Sequence, residues 1–180
     1  SGVLRRAEAQ RVPGRFVTIE GGEGAGKSTQ VNLLAERLRE RGIDVLVTRE
    51  PGGTQVGEAI RNLLLDPKTA GVCNEAEFLL FSASRAQHLH EVILPALEKG
   101  QIVLCDRFLD ASVAYQGGAR GLGEQKAFDT SLAMFGHCLP WKTFWLDLDP
   151  KEALRRAHGR LGEVDRFELE ELSFHEKVRE

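Results

Sequence analysis

Gly21-Gly22-Glu23-Gly24-Ala25-Gly26-Lys27-Ser28 is the stretch that decides how this chain folds. It has the spacing G-x-x-x-x-G-K-[ST], and both of its flanks agree with it. The β-branched and aromatic run Phe16–Glu20 supplies a strand before it, and a helical pattern over Lys27–Arg41 follows. Between a strand and a helix, such glycines let the backbone turn tightly, so that successive N–H groups point inward at phosphate oxygens. The helix N-terminus adds positive potential. Lys27 then reaches the outer phosphates and the Ser28 hydroxyl is placed to ligate a divalent cation, which makes residues Gly21 to Thr29 a candidate phosphate cradle.

Outward from the cradle, short apolar runs alternate with longer helical patterns. The runs are Phe16–Glu20, Val45–Thr48, Ile102–Asp106 and Thr143–Leu148. Each is apolar at consecutive positions, which predicts strands covered on both faces. Helical patterns cover Lys27–Arg41, Thr54–Leu65, Asn74–Lys99, Glu124–Phe135, Pro150–Ala157 and Glu168 to the end. This alternation predicts an α/β chain with a central parallel sheet flanked by helices in three layers, the P-loop NTPase architecture. Asn74 and Glu77 read as a capping-box-like start, Gly100 as a stop, and Pro95 as a kink near Leu94. Gly117 to Gly123 reads as a mobile connection.

The 180 residues suit one well-buried core rather than two. A net charge of −3 provides no basic footprint for nucleic acid or anionic membrane, and no apolar run approaches bilayer length. Residues 1–15 lack an apolar signal core and read as a disordered lead-in or a cloning scar, leaving 16–180 as the single domain. The three cysteines, Cys73, Cys105 and Cys138, are far apart and odd in number, which argues against a disulfide framework or a close-spaced metal knuckle. Reduced thiols without a leader point to the cytoplasm.

A cradle alone does not state what is done with the nucleotide. A GTPase switch would carry Asn-Lys-x-Asp and Asp-x-x-Gly, and neither occurs in the chain. The cradle therefore suits ATP and transfer to a small acceptor.

Four further stretches carry a family resemblance. They are Thr48-Arg49-Glu50-Pro51-Gly52-Gly53-Thr54, Leu79-Leu80-Phe81-Ser82-Ala83-Ser84-Arg85, Asp106-Arg107-Phe108 continuing to Ala114-Tyr115-Gln116-Gly117, and Asp165-Arg166-Phe167-Glu168. Together with the cradle they resemble thymidylate kinase from Phe16 to the C-terminus, in the bacterial subtype with arginines in the lid.

The resemblance implies phosphorylation of dTMP by Mg-ATP, on the way to dTTP, by a homodimer. It implies that Phe81 stacks on thymine and that Arg85 bonds the base edge. It also implies that Ser112, Tyr115 and Gln116 line base and deoxyribose, with Ala111 where many members carry a second serine. Gln116 can both donate and accept.

Asp106 and Arg107 end a predicted parallel strand, where open α/β sheets bind ligands. Arg107 presents a planar fork for the acceptor phosphate, and Asp106 can hold Mg²⁺ or its waters opposite Ser28. Arg49 is implied near the acceptor phosphate, Glu50 near the sugar or metal waters, and Glu23 near the acceptor sugar and phosphate. Arg61 either reaches that phosphate or sits on a solvated helix face.

Some family members carry an arginine inside the cradle, where this chain has Gly24. Charge then has to come from Arg155, Arg156 or Arg160 in a mobile lid over about 155–166, with Arg166 bracing it; alternatively these arginines pair with Glu152, Glu163 and Glu168 on an exposed helix. The family normally continues past the equivalent of Glu180 through a further strand and helix, so the C-terminal end reads as incomplete. Two alternatives stay open: another P-loop (deoxy)nucleotide or nucleoside kinase, and a catalytically inactive nucleotide-binding relative.

Overall fold

The computed structural model describes residues 14–69, 71–159 and 165–180. The lead-in expected over residues 1–15 lies outside these apart from its last two positions. Four strands, β1 (Arg15–Glu20), β2 (Val45–Arg49), β3 (Ile102–Asp106) and β4 (Lys142–Trp145), pair in parallel in the order β2-β3-β1-β4. In register, Asp106 lies opposite both Ile19 and Arg49. The chain therefore leaves β1, β2 and β3 at one shared edge, which brings the cradle, Glu50 and Arg107 together.

The sheet divides two apolar layers. On one face Val17, Ile19 and Leu104 pack with Val31 and Ala35 of α1 (Lys27–Arg39). On the other, Phe16, Val103 and Cys105 pack with Leu89, Ile93, Leu97, Phe108 and Phe135. Successive strand residues point to opposite faces, so consecutive apolar positions are what a doubly covered strand requires. Full burial of each such Leu, Ile or Phe contributes about 1.5–3 kcal/mol. Cys105 and Cys138 are buried packing residues, and Cys73 is exposed and unpaired.

β4 departs from the expectation of two covered faces. All four of its residues are exposed, Trp145 to 59%. It pairs only with β1, at the sheet edge, and its strand geometry ends at Trp145 rather than Leu148.

The remaining helices are α2 (Gln55–Leu65), α3 (Asn74–His88), α4 (Leu94–Glu98), α5 (Leu109–Ser112), α6 (Glu124–Phe135), α7 (Pro150–His158) and α8 (Leu172–Arg179). Thr54 caps α2 by accepting from Gly57 N–H at 2.9 Å, and Asp149 caps α7 ahead of Pro150.

The expected cap on α3 is different. Cys73 occupies the N-cap position, Asn74 Nδ2 donates to Arg120 O at 2.8 Å, and the Glu77 side chain turns into the protein. Between α3 and α4 the chain stays helical but widens to a π-turn over Leu89–Ile93, with Leu94 N–H bonded to Leu89 O. Pro95 explains this, because its ring cannot accept the normal approach of the carbonyl four residues earlier.

A second π-turn, Val113–Ala119, replaces the first part of the mobile connection. Gly117 is buried there, and a Cβ on it would stand 2.9 Å from Glu124 Cα. Its glycine serves close packing on α6, not mobility.

Candidate active site

Backbone conformation builds the cradle. Gly21, Gly24 and Gly26 hold φ of 147°, 75° and 91°, values that side chains disfavour. Gly26 leads directly into α1, so Lys27 begins the helix, buried, with Nζ donating to Gly22 O at 2.8 Å. Burial and the nearby Arg107 push the Lys27 ammonium down to about 8, against the pull of Glu23 and Asp106. One residue on, Ser28 Oγ donates to Asp106 Oδ2 at 2.7 Å. Lys27, Ser28, Thr29, Asp106 and Arg107 line a 460 Å³ cavity at this edge. Serine hydroxyl and carboxylate form a hard oxygen pair, the donor chemistry a Mg²⁺ ion held mainly by substrate phosphates would use.

Gly24 also answers why no arginine stands in the cradle. A Cβ there would come 1.9 Å from Ala153 O of α7. The helix backbone rests on the cradle, and no side chain fits between them.

Arg107 leaves β3 with φ of 70°, uncommon for a residue other than glycine. The turn carries its guanidinium over the Tyr115 ring, 4.9 Å from the centroid, where Nη2 donates to Glu23 and to Tyr115 Oη. Burial opposes the charge on Glu23, but Arg107 and Lys27 outweigh it and hold the carboxyl below its ordinary range. For Arg107 burial is opposed by Glu23, Tyr115, Glu20 and Asp106, which together raise its pKa. Close by, Glu20 accepts from Phe108 N–H at 2.7 Å, and burial pushes its carboxyl up to about 7 despite Arg107.

A second cavity adjoins the first and is lined by Phe81, Arg85, Arg107, Ser112, Tyr115 and Gln116. Phe81 stands edge-on to Phe167, with centroids 5.9 Å apart. Arg85 is 1% exposed. Its Nε donates to Glu50 Oε2 at 2.7 Å, its Nη2 to Phe108 O at 2.9 Å and Ser112 Oγ at 3.0 Å. Its Nη1 is buried without a partner. Ser112 thus faces an arginine that lines the cavity.

Glu50 borders both cavities, yet both of its oxygens are committed, Oε2 to Arg85 and Oε1 to His88 Nδ1 at 3.1 Å. Its carboxylate thereby braces Arg85 at the border of the two cavities. His88 in turn lies 2.6 Å from Thr48 Oγ1. Gln116 Nε2 donates to Glu77 Oε1 at 2.8 Å, and Glu77 also accepts from Arg120 Nε at 3.3 Å and Arg166 Nη2 at 2.7 Å.

Arg61 borders both cavities while Nη1 donates to Pro51 O at 3.0 Å. Burial and Arg49 lower its pKa. Arg49 borders the cradle cavity and pairs with Glu58 at 2.9 Å.

The expected lid is in part a helix. Arg155 and Arg156 belong to α7, exposed, and both pair with Glu152, whose carboxyl Arg155 and then Arg156 hold down to about 2. The helical pairing weighed against a loop therefore holds for these two. Arg156 borders the cradle cavity, whereas Arg155 is not among the residues lining it. Arg160 lies outside the described residues. Arg166 is buried and donates to Leu64 O at 2.9 Å as well as to Glu77.

Glu77, His88 and Thr48 were not anticipated as site residues. A signal existed on α3: Glu77, Arg85 and His88 recur at helical spacing with Phe81 between them, polar residues on a face that packs inward.

Comparison with known proteins identifies the family. A family model described as Thymidylate kinase matches residues 19–180. The chain is 47% identical over 174 residues to a thymidylate kinase of Protochlamydia amoebophila, covering 93% of this chain and 77% of that one. It is 53% identical over 167 residues to one from Ectopseudomonas mendocina, covering 93% and 79%. A crystal structure of thymidylate kinase from Ehrlichia chaffeensis superposes with a TM-score of 0.71 at 40% identity, over 80% of this chain and 82% of that one.

Proposed function

The chain belongs to the thymidylate kinase family and is a kinase that phosphorylates dTMP to dTDP in dTTP biosynthesis, and on that premise we propose how its residues divide the work. The donor is ATP, its phosphates lying along residues Gly21 to Thr29 with Lys27 neutralising their charge. Mg²⁺, when bound, offsets charge across the donor phosphates, and Ser28 and Asp106 are the residues that would hold it directly or through water. Arg107 grips the acceptor phosphate, with Glu23 and Tyr115 fixing its fork. Arg49 and Arg61 add positive charge at the mouth. Phe81 stacks on the base, and Arg85 and Gln116 read its edge.

The single observation that carries this reading is the Ser28–Asp106 hydrogen bond of 2.7 Å, which closes the cradle against the strand that leads into Arg107. Phosphoryl transfer needs positioning and charge neutralisation more than covalent help. The acceptor oxygen is already an anionic phosphate, so no general base is required. Arg156 and Arg160, with Arg155, supply donor-side charge. Arg156 would have to leave Glu152, an exposed pairing of a weak kind.

Assembly is a homodimer, a reading supported by the exposed apolar residues Leu79 on α3 and Phe128 and Leu132 on α6. A cytoplasmic location suits three unpaired cysteines and a nucleotide substrate. Among the described residues, no helix is long and apolar enough to cross a membrane.

Purified protein with Mg-ATP and a panel of monophosphates tests the assignment through ADP release. Strong turnover is expected with dTMP, weak turnover with dUMP and none with AMP, GMP or CMP. Best activity on another acceptor overturns the substrate reading, and inactivity on every acceptor favours a binding-only relative.

A further inference from the structure

Glu77 is 1% exposed, yet it carries a carboxylate that touches neither cavity. Its oxygens are distributed with a definite polarity. Oε2 accepts from Arg166 Nη2 at 2.7 Å, and Oε1 accepts from Arg120 Nε at 3.3 Å and from Gln116 Nε2 at 2.8 Å. A carboxylate between two guanidiniums is an acceptor only. It therefore decides which end of the Gln116 amide faces it. The NH₂ end must, and the carbonyl Oε1 is what Gln116 has left to offer the cavity it lines.

The opposite half of the edge is set in the same way by the other buried carboxylate. Glu50 holds Arg85 by Nε, and Phe108 O and Ser112 hold Nη2, which leaves Nη1 as the buried, unpartnered donor of a residue that lines the cavity. The cavity thus offers one donor, from Arg85, and one acceptor, from Gln116. That pair complements a base edge carrying a carbonyl beside a ring N–H, the O4 and N3–H of thymine and uracil. Cytosine shows the reverse, an amino group beside a bare ring nitrogen, and would leave both protein groups unmatched.

We propose that Glu77 is a positioning residue that sets base specificity by locking the Gln116 amide with its carbonyl toward the base. The proposal rests on the reading of this cavity as the dTMP site and adds the residue that decides its hydrogen-bond polarity. Buried polar groups left unmatched are what give such sites their discrimination.

Substitution by glutamine makes the polarity testable. In Glu77→Gln, Arg166, at 2.7 Å the shorter of the two arginine contacts, claims the new carbonyl, so the new NH₂ faces Gln116 and the 3.3 Å contact from Arg120 is given up. Gln116 then turns over and presents its own NH₂ to the cavity, where N3–H of thymine meets a donor.

The experiment measures kcat and KM of wild type and Glu77→Gln with dTMP, dUMP and dCMP at saturating Mg-ATP. The dTMP:dCMP ratio of kcat/KM is expected to fall at least tenfold, mainly through KM for dTMP. The dTMP:dUMP ratio should stay within about twofold, because both bases show the same edge. The double exchange Glu77→Gln/Gln116→Glu restores a donor-to-acceptor link and a carbonyl-like oxygen toward the base, and should recover most of the dTMP:dCMP selectivity.

Should Glu77→Gln fail to fold, Glu77→Asp keeps the charge between the arginines and withdraws it by one methylene from Gln116. It should lower the same ratio severalfold. An unchanged dTMP:dCMP ratio in whichever variant folds, or equal losses on all three acceptors, overturns the proposal. A wild type without turnover on dTMP would instead remove the reading on which it rests.

Discussion

Ser28 Oγ donates to Asp106 Oδ2 at 2.7 Å, although 78 positions separate the two residues. The contact joins the first turn of α1 to the last residue of β3, and it follows from the parallel pairing of β1 with β3 in register Ile19 to Asp106. It leaves a hydroxyl and a carboxylate facing the mouth of the cradle cavity. Asp106→Ala is expected to lower turnover by roughly 10–100-fold and to raise the Mg²⁺ concentration needed for half-maximal rate. A titration of rate against Mg²⁺ decides it; an unshifted curve would mean that this carboxylate does not serve the cation.

Lys27 couples nucleotide affinity to pH. Without ligand, burial and Arg107 push it down to about 8, and donor phosphates would restore its charge. At pH 8 about half a proton should therefore be taken up on binding, and affinity should weaken as pH rises above 8. Calorimetry with ADP at pH 8, in buffers of different ionisation enthalpy, reads the uptake. Heats independent of buffer would contradict it.

Arg107→Lys preserves charge but not the fork that spans Glu23, Tyr115 and the proposed acceptor phosphate. A loss of about 10²-fold in kcat/KM for dTMP is expected. KM for ATP should change far less. Equal damage to both substrates would place the residue outside the acceptor site.

Glu20 predicts a pH-dependent stability with a definite sign. Burial raises its folded pKa to about 7 from 4.5, so the stability it contributes is present below about pH 4.5 and is lost as pH rises through 7. Glu20→Gln keeps an oxygen for Phe108 N–H and removes the charge. Relative to wild type it should gain on the order of 1–3 kcal/mol at pH 8 and little at pH 5. Urea denaturation at the two pH values measures the difference, and an equal effect at both would refute it.

Gly24→Ala inserts a methyl group where the backbone of α7 already lies, at a φ of 75° that alanine disfavours. A destabilisation of about 2–4 kcal/mol is expected from overpacking and backbone strain together. Thermal melting gives the readout; a variant as stable as wild type would show that α7 can lift from the cradle at no cost.

Much of the site was legible because its signals are local. The spacing of Gly21 to Ser28 between a strand and a helix implies the cradle, and Asp106-Arg107 at the end of an apolar run implies a strand edge that binds ligands. Phe81 and Arg85, four apart, had to share a helix face. Other features carry no local signature. The family resemblance implied Glu50 near the sugar or metal waters, and only the packing of α3 shows that Arg85 and His88 bond its oxygens. The exposure of β4 was hidden because the run Phe144-Trp145-Leu146 resembles part of a covered strand, and burial depends on what lies beside it.

From its sequence alone the protein has its strand–cradle–helix order, its parallel sheet and the chemical kinds of group at the sheet edge, because helical and strand periods and glycine conformations are properties of near neighbours. The tertiary structure decided how those groups are paired and oriented: Arg85 on Glu50 across 35 positions, Gln116 on Glu77 across 39 and Ser28 on Asp106 across 78. A hydrogen bond depends on distances of about 3 Å and on direction, and only the folded chain sets these for residues so far apart.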